Sequence, residues 1–132
     1  VVLVSQYRPP YERNVLEIPA GMRDVAGEGT EAVARRELVE EAGLQADHLQ
    51  LLTEILPSPG MTDSITTLYL ATGCTPVPHD RQGPEEEHME LVHLPLADAV
   101  EMVERGEIAD AKSVVALLLT ERHLRALDHP GT

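Results

Sequence analysis

Cysteine is almost absent from this chain: Cys74 is the only one. No internal disulfide can form, which fits a reducing cytoplasm. No apolar run approaches the roughly 20 residues of a membrane-spanning helix, and no signal peptide is evident. A cytoplasmic protein with no membrane partner is the expectation. Positive charge is scarce, with 10 Lys and Arg against 23 Asp and Glu and a formal net charge of −13. Binding a phosphate polymer needs a basic surface, so the charge argues against a nucleic-acid polymer as partner. A small phosphate ligand stays possible if metal ions screen the carboxylates locally. The six histidines are scattered without zinc-ligand spacing. Internal repeats, low-complexity tracts and domain linkers are all missing.

What is present is one compact domain. The 132 residues are enough for a single core and too few for two, and 42% hydrophobic content marks a globular chain. Val1-Val2-Leu3-Val4 reads as a buried strand from its first residue. The expectation is therefore a single domain over residues 1–132, with further residues preceding Val1 in the full protein. Gln6-Tyr7-Arg8 leaves that strand and Pro9-Pro10 forces a turn. Val15-Leu16-Glu17-Ile18 is a second strand stopped by Pro19. Residues 49–56 and 65–71 read as further strands, the latter apolar on both faces and so expected to be central. Pro57-Ser58-Pro59-Gly60 is a stiff loop, and residues 75–84 are loop with four Pro or Gly breakers. Leu91-Val92-His93-Leu94 is a last strand. Helices are expected at 96–105, ended by Gly106, and at about 110–127, amphipathic through Val114, Val115, Leu118 and Leu119.

The most informative stretch is residues 21–44. If 30–42 form one helix, Thr30 can N-cap it and Gly43 can end it in the left-handed region. Glu37, Glu40 and Glu41 then project within an arc of roughly 100°. Carboxylates that close repel one another unless a cation sits among them, and a hard divalent ion such as Mg²⁺ takes oxygen ligands of this kind. The alternative is a solvated acidic helix face. Arg36 stands four residues before Glu40 and can hold it by an ion pair. Gly21 allows the backbone to approach a metal or phosphate closely.

The whole pattern resembles the Nudix box, the signature of the Nudix hydrolases. Gly21 stands at the glycine, Glu28 at the first glutamate, and Arg36-Glu37-Leu38-Val39-Glu40-Glu41-Ala42-Gly43-Leu44 is the tail without substitution. One departure is that six residues, 22–27, separate Gly21 from Glu28 where the family has five. The resemblance implies an α/β fold, a Nudix-type α/β/α sandwich with a mixed β-sheet. Elementary patterning alone supports either α/β or α+β.

Further features resemble the ADP-ribose pyrophosphatase branch. Pro59 lies sixteen residues past Gly43, where that branch has a proline. Gln6-Tyr7-Arg8, Glu17-Ile18-Pro19-Ala20-Gly21 and Gly106-Glu107-Ile108-Ala109-Asp110-Ala111-Lys112-Ser113 match as well. Relatives often carry Asp-Glu after the Pro59 loop, where this chain has Asp63-Ser64. The resemblance implies cleavage of ADP-ribose to AMP and ribose 5-phosphate with Mg²⁺ or Mn²⁺. The ligands would be Glu37, Glu40, Glu41 and the Ala20 carbonyl, with Glu87 as a further contact. The base would be a loop glutamate, Glu85 before Glu86, with His88 a surface residue or a helper. Arg8, Arg23, Glu17 and Pro59 would meet substrate. A homodimer is expected. Two other readings stand beside this one: a pyrophosphatase for a nucleotide sugar or NADH, and a sensing module that binds a nucleotide without cleaving it.

Overall fold

A computed structural model of the chain describes residues 1–21, 27–78 and 89–128. Strand β1 (Val2–Arg8) and strand β2 (Arg13–Glu17) form an antiparallel hairpin, in register from Val4 opposite Glu17 to Arg8 opposite Arg13. The first strand therefore runs through Gln6-Tyr7-Arg8 rather than ending before it. Pro9 starts a 3₁₀ turn (Pro9–Tyr11), and Glu12 closes it at φ 52° with its N–H on the Pro9 carbonyl at 3.1 Å. Strand β7 (Glu90–His93) pairs with the other edge of β1, giving the order β2-β1-β7.

Strand β1 is the centre of the domain. Leu3 and Val4 are both buried, and neighbouring strand residues face opposite sides. The sheet is thus covered on both faces, as a sandwich requires. Leu3 joins Ala99, Ile108 and Leu117 in the main core, with Leu16, Val92 and Leu96 packed around it. The helices that supply this core are α2 (Leu96–Glu104) and α3 (Ala111–Asp128). Gly106 turns the chain between them at φ 78°. On helix α3 the expectation holds in part: Val114 packs against the core, but the buried residues are Ser113, Ala116, Leu117 and Thr120, and Leu118 is 40% exposed. The apolar pattern misses Ser113, whose hydroxyl has partners described below.

The second lobe begins with helix α1 (Thr30–Glu37), which passes directly into a π-helical turn (Leu38–Ala42). Strands β3 (Leu44–Gln45) and β4 (His48–Ile55) then run antiparallel to β6 (Thr75–Pro76) and β5 (Thr66–Thr72). Together they make one long irregular hairpin. Its register shifts between Leu51 and Thr53, and Asp47 N–H bridges to the Thr72 and Gly73 carbonyls. Gly73 sits at φ 65°, and a Cβ there would come within 2.6 Å of the Asp47 carboxylate.

Two expectations change. Among the described residues every strand pairing is antiparallel, where a mixed sheet was expected. A parallel pair needs a crossover that returns the chain to the same sheet. Here α1 leads from β2 into a different sheet, and α2 and α3 come after the last strand. Strand β5, expected to be central, pairs with β4 alone among the described residues. Its two apolar faces are explained by helices, since α3 and α1 both contact it. Burial of both faces does not require pairing of both edges.

Candidate active site

The acidic helix is built differently from one regular α-helix. Gly29, not Thr30, is the N-cap, and no side chain caps this end. Thr30 is already helical, and its hydroxyl shares a 2.7 Å hydrogen bond with the Tyr69 hydroxyl of β5. That bond ties the start of α1 to the hairpin. The other end is as the sequence predicts: Gly43 is left-handed at φ 65°, and its N–H reaches the Val39 and Leu38 carbonyls. The contact to Leu38 spans five residues, so the last turn is wide. Wide turns of this type often occur at functional sites.

Arg36 organises the carboxylates. Its Nε and one terminal nitrogen donate to the two oxygens of Glu28 at 3.1 and 3.0 Å. The other terminal nitrogen donates to Glu37 at 2.9 Å and to Glu40 at 3.3 Å. The expected pairing with Glu40 is therefore present, and two further glutamates share the same cation. The planar guanidinium suits this task because its donors form a rigid fork. Glu28 is held in spite of the extra loop residue before it.

Glu41 is nearly buried and turns elsewhere, accepting the Ala20 backbone N–H at 2.9 Å. Gly21 follows in the same loop, and a methyl group there would overlap the end of the Glu37 side chain. What the Gly21 backbone approaches so closely is thus a glutamate. Glu37, Glu40, Glu41 and the Ala20-Gly21 loop occupy one end of the helix. Their donors are hard oxygens, the kind a divalent cation requires. Gly21 leaves open the space that the Glu37 carboxylate enters. Among the described residues, however, no three acidic, His or Cys side chains converge as a preformed ligand set. Arg36 holds Glu37 and Glu40, and the Ala20 N–H holds Glu41.

Arg8 and Glu17 meet each other. The guanidinium donates twice to the Glu17 carboxylate, at 2.7 and 2.9 Å, and Lys112 adds a third contact at 2.8 Å. Glu17 is 3% exposed, whereas the Arg8 side chain is 42% exposed. Burial acts to raise the Glu17 pKa, but the hydrogen bonds and charges of Arg8 and Lys112 outweigh it and hold the carboxyl below its ordinary value. A carboxyl lowered by folding stabilises the fold fully above its unfolded pKa, and the contribution fades as pH falls through the folded value. Glu17→Gln is expected to be less stable than wild type at neutral pH, with the gap closing below about pH 4.5. Urea unfolding from about pH 7 to about pH 3 measures this, and a gap that stays constant would contradict it.

Pro59 lies in a turn where the Met61 and Thr62 N–H groups reach the Ser58 carbonyl. The whole segment 56–65, including Asp63, is exposed. Arg23, Glu85, Glu86, Glu87 and His88 lie outside the described residues. Lys112, Asp110 and Ser113 were not singled out individually from the sequence. The matched stretch that contains them was the available signal, but Lys112 meets Glu17, and Ser113 meets the Ile18 N–H, across 95 residues of sequence.

Comparison with known proteins identifies the family. The NUDIX domain model matches residues 1–118. An ADP-ribose pyrophosphatase of Mycobacterium tuberculosis is 41% identical over 118 residues, covering 89% of this chain and 57% of the relative. One of Bacillus subtilis is 38% identical over 117 residues, covering 89% and 63%. A GDP-mannose pyrophosphatase of Yersinia pestis is 36% identical over 130 residues, covering 93% and 65%. This chain thus spans about three-fifths of the length of these relatives. A crystal structure of an ADP compounds hydrolase superposes with a TM-score of 0.83 at 28% identity, over 96% of this chain and 66% of that one. A glutamate helix seated on the Ala20-Gly21 loop, within a domain matched along most of its length, places this chain in the Nudix family.

Proposed function

We propose that this domain hydrolyses the pyrophosphate bond of ADP-ribose, releasing AMP and ribose 5-phosphate. The observation that carries the reading is the set of glutamates around Arg36 and Ala20, with every residue of the tail pattern intact. The substrate is inferred from the relatives named ADP-ribose pyrophosphatase. Nudix hydrolases generally use divalent metal ions, and Mg²⁺ or Mn²⁺ is the proposed cofactor. Glu37, Glu40, Glu41 and the Ala20 carbonyl would hold it, with Glu87 as a further contact. When bound, such ions offset the charge of the phosphate bridge and acidify water.

The chain's own residues then have distinct tasks. Arg36 and Glu28 fix the directions of Glu37 and Glu40, and the Ala20 N–H fixes Glu41. Glu85, or Glu86 beside it, takes the proton from the attacking water. Arg8 offers positive charge at the surface toward a phosphate or ribose, aimed by Glu17 behind it. Arg23 and Pro59 complete the substrate contacts. The protein is proposed to work as a cytoplasmic homodimer. Among the described residues no helix is long and apolar enough to cross a membrane.

Similarity to a GDP-mannose pyrophosphatase favours a second reading, cleavage of a nucleotide sugar. Product analysis with ADP-ribose, GDP-mannose and NADH over a Mg²⁺ and Mn²⁺ series separates the two. Tight ADP-ribose binding with no product from any substrate would instead mark a sensing module.

Gly21→Ala tests the loop. Gly21 is not left-handed, but a new methyl would overlap the Glu37 Cγ, Cδ and Oε1 atoms. Glu37 is buried and paired with Arg36 at 2.9 Å, so pushing it aside disturbs that ion pair as well. The expected result is a lowered thermal midpoint together with kcat at least about tenfold lower, since small misplacements are costly in catalysis. Unchanged kcat would show that the position of Glu37 does not matter.

A further inference from the structure

We propose that Ser113 and Asp110, at the start of helix α3, are positioning residues for the glutamates of the acidic helix; this rests on the metal-dependent reading above. The Ile18 N–H donates to the Ser113 hydroxyl at 2.8 Å. The Ser113 oxygen accepts there, so its own proton is free to go to Asp110, whose carboxylate lies 2.6 Å away. The same Asp110 oxygen caps the helix by accepting the Ser113 N–H at 3.3 Å, and it takes Lys112 at 3.0 Å. Lys112 also holds Glu17, the residue before Ile18, at 2.8 Å.

The loop from Glu17 to Gly21 is therefore gripped at both ends. At one end are Lys112 and Ser113 of α3. At the other, Ala20 donates to Glu41 and Gly21 abuts Glu37. Pro19 lies between the two grips, and its ring removes one backbone torsion. A shift of Ile18 is therefore passed to Ala20 with little slack. Ser113 is fully buried and lies 95 residues from Ile18. A polar side chain in that place is costly unless every hydrogen bond is made, and here they are. The first turn of α3 thus sets where the Ala20 N–H stands, and the Ala20 N–H sets the Glu41 carboxylate. Neither Ser113 nor Asp110 touches substrate in this arrangement; both act through the loop.

The test compares Ser113→Ala, Asp110→Ala and Asp110→Asn with Val103→Ala. Val103 packs against the core from α2 and serves as a control for lost stability alone. The readouts are thermal midpoint, Mn²⁺ affinity by calorimetry, kcat and KM for ADP-ribose, and hydrogen exchange at the Ile18 and Ala20 amides. Ser113→Ala and Asp110→Ala are expected to weaken Mn²⁺ binding about tenfold, the scale for residues that orient metal ligands. They should lower kcat more than they raise KM and speed exchange at both amides. Asp110→Asn keeps an acceptor and should restore most of each property, which makes the case independent of whether Ser113→Ala folds. Val103→Ala should lose thermal stability alone. Ser113 and Asp110 variants that lose only thermal stability, with wild-type Mn²⁺ affinity and Ala20 exchange, would overturn the proposal. If the wild type neither binds Mn²⁺ nor cleaves ADP-ribose, the function above fails. Unchanged Ala20 exchange in Ser113→Ala would still overturn the mechanical link by itself.

Discussion

Glu41→Gln is expected to lower kcat at least about a hundredfold, the scale for removing one electrostatic group from a reacting centre. The substitution keeps the shape of the side chain. Its amide oxygen can still accept the Ala20 N–H that Glu41 accepts at 2.9 Å. The loop and the fold should therefore survive, and what disappears is one negative charge in a nearly buried place. That charge matters most when the phosphorus centre is under attack, so KM should change far less than kcat. Steady-state kinetics across a Mg²⁺ series gives the answer. Near-normal Mg²⁺-dependent turnover would remove Glu41 from the site.

Arg36→Met should show its largest effect in stability. Glu28, Glu37 and Glu40 share this guanidinium, and all three side chains are mostly buried. Methionine covers similar apolar surface but leaves three carboxylates without their common cation. Removing one partner of a buried ion pair costs about 3–5 kcal/mol. The Arg36 side chain is 26% exposed, so a loss of about 2–3 kcal/mol is expected in metal-free buffer at low salt. If the glutamates hold a divalent ion, Mg²⁺ binds the folded chain alone and recovers part of that loss. Mg²⁺ should accordingly raise the thermal midpoint more in the variant than in wild type. A variant as stable as wild type in EDTA would show that the guanidinium does not hold the cluster together.

These two predictions draw on different kinds of knowledge. The spacing of Glu37, Glu40 and Glu41 was visible along the chain, as was the Arg36 to Glu40 pair. Both are contacts within about one helical turn, where geometry follows from residue number. The left-handed end at Gly43 was visible for the same reason. The fork from Arg36 to Glu28 was not, because a loop of variable length intervenes. Residue type alone makes Thr30 a candidate cap. Its hydroxyl instead finds Tyr69, which no local rule could place there. On α3 the apolar pattern pointed to Val114, which packs on the core, and to Leu118, which is 40% exposed while the polar Ser113 is buried.

The amino-acid order alone determined that this chain is strongly acidic and, with Cys74 its one cysteine, can close no internal disulfide. It also determined that a glutamate-bearing helix ends at Gly43, because composition and periodicity are properties of neighbouring residues. Only the tertiary structure decided that the described strands pair antiparallel and that Glu41 turns to Ala20. It also decided that Gly21 makes room for Glu37 and that Ser113 grips Ile18 from the far end of the chain. Those contacts depend on how the chain returns to itself around β1. A hydrogen bond between residues 21 or 95 positions apart leaves no periodic trace in the residues between.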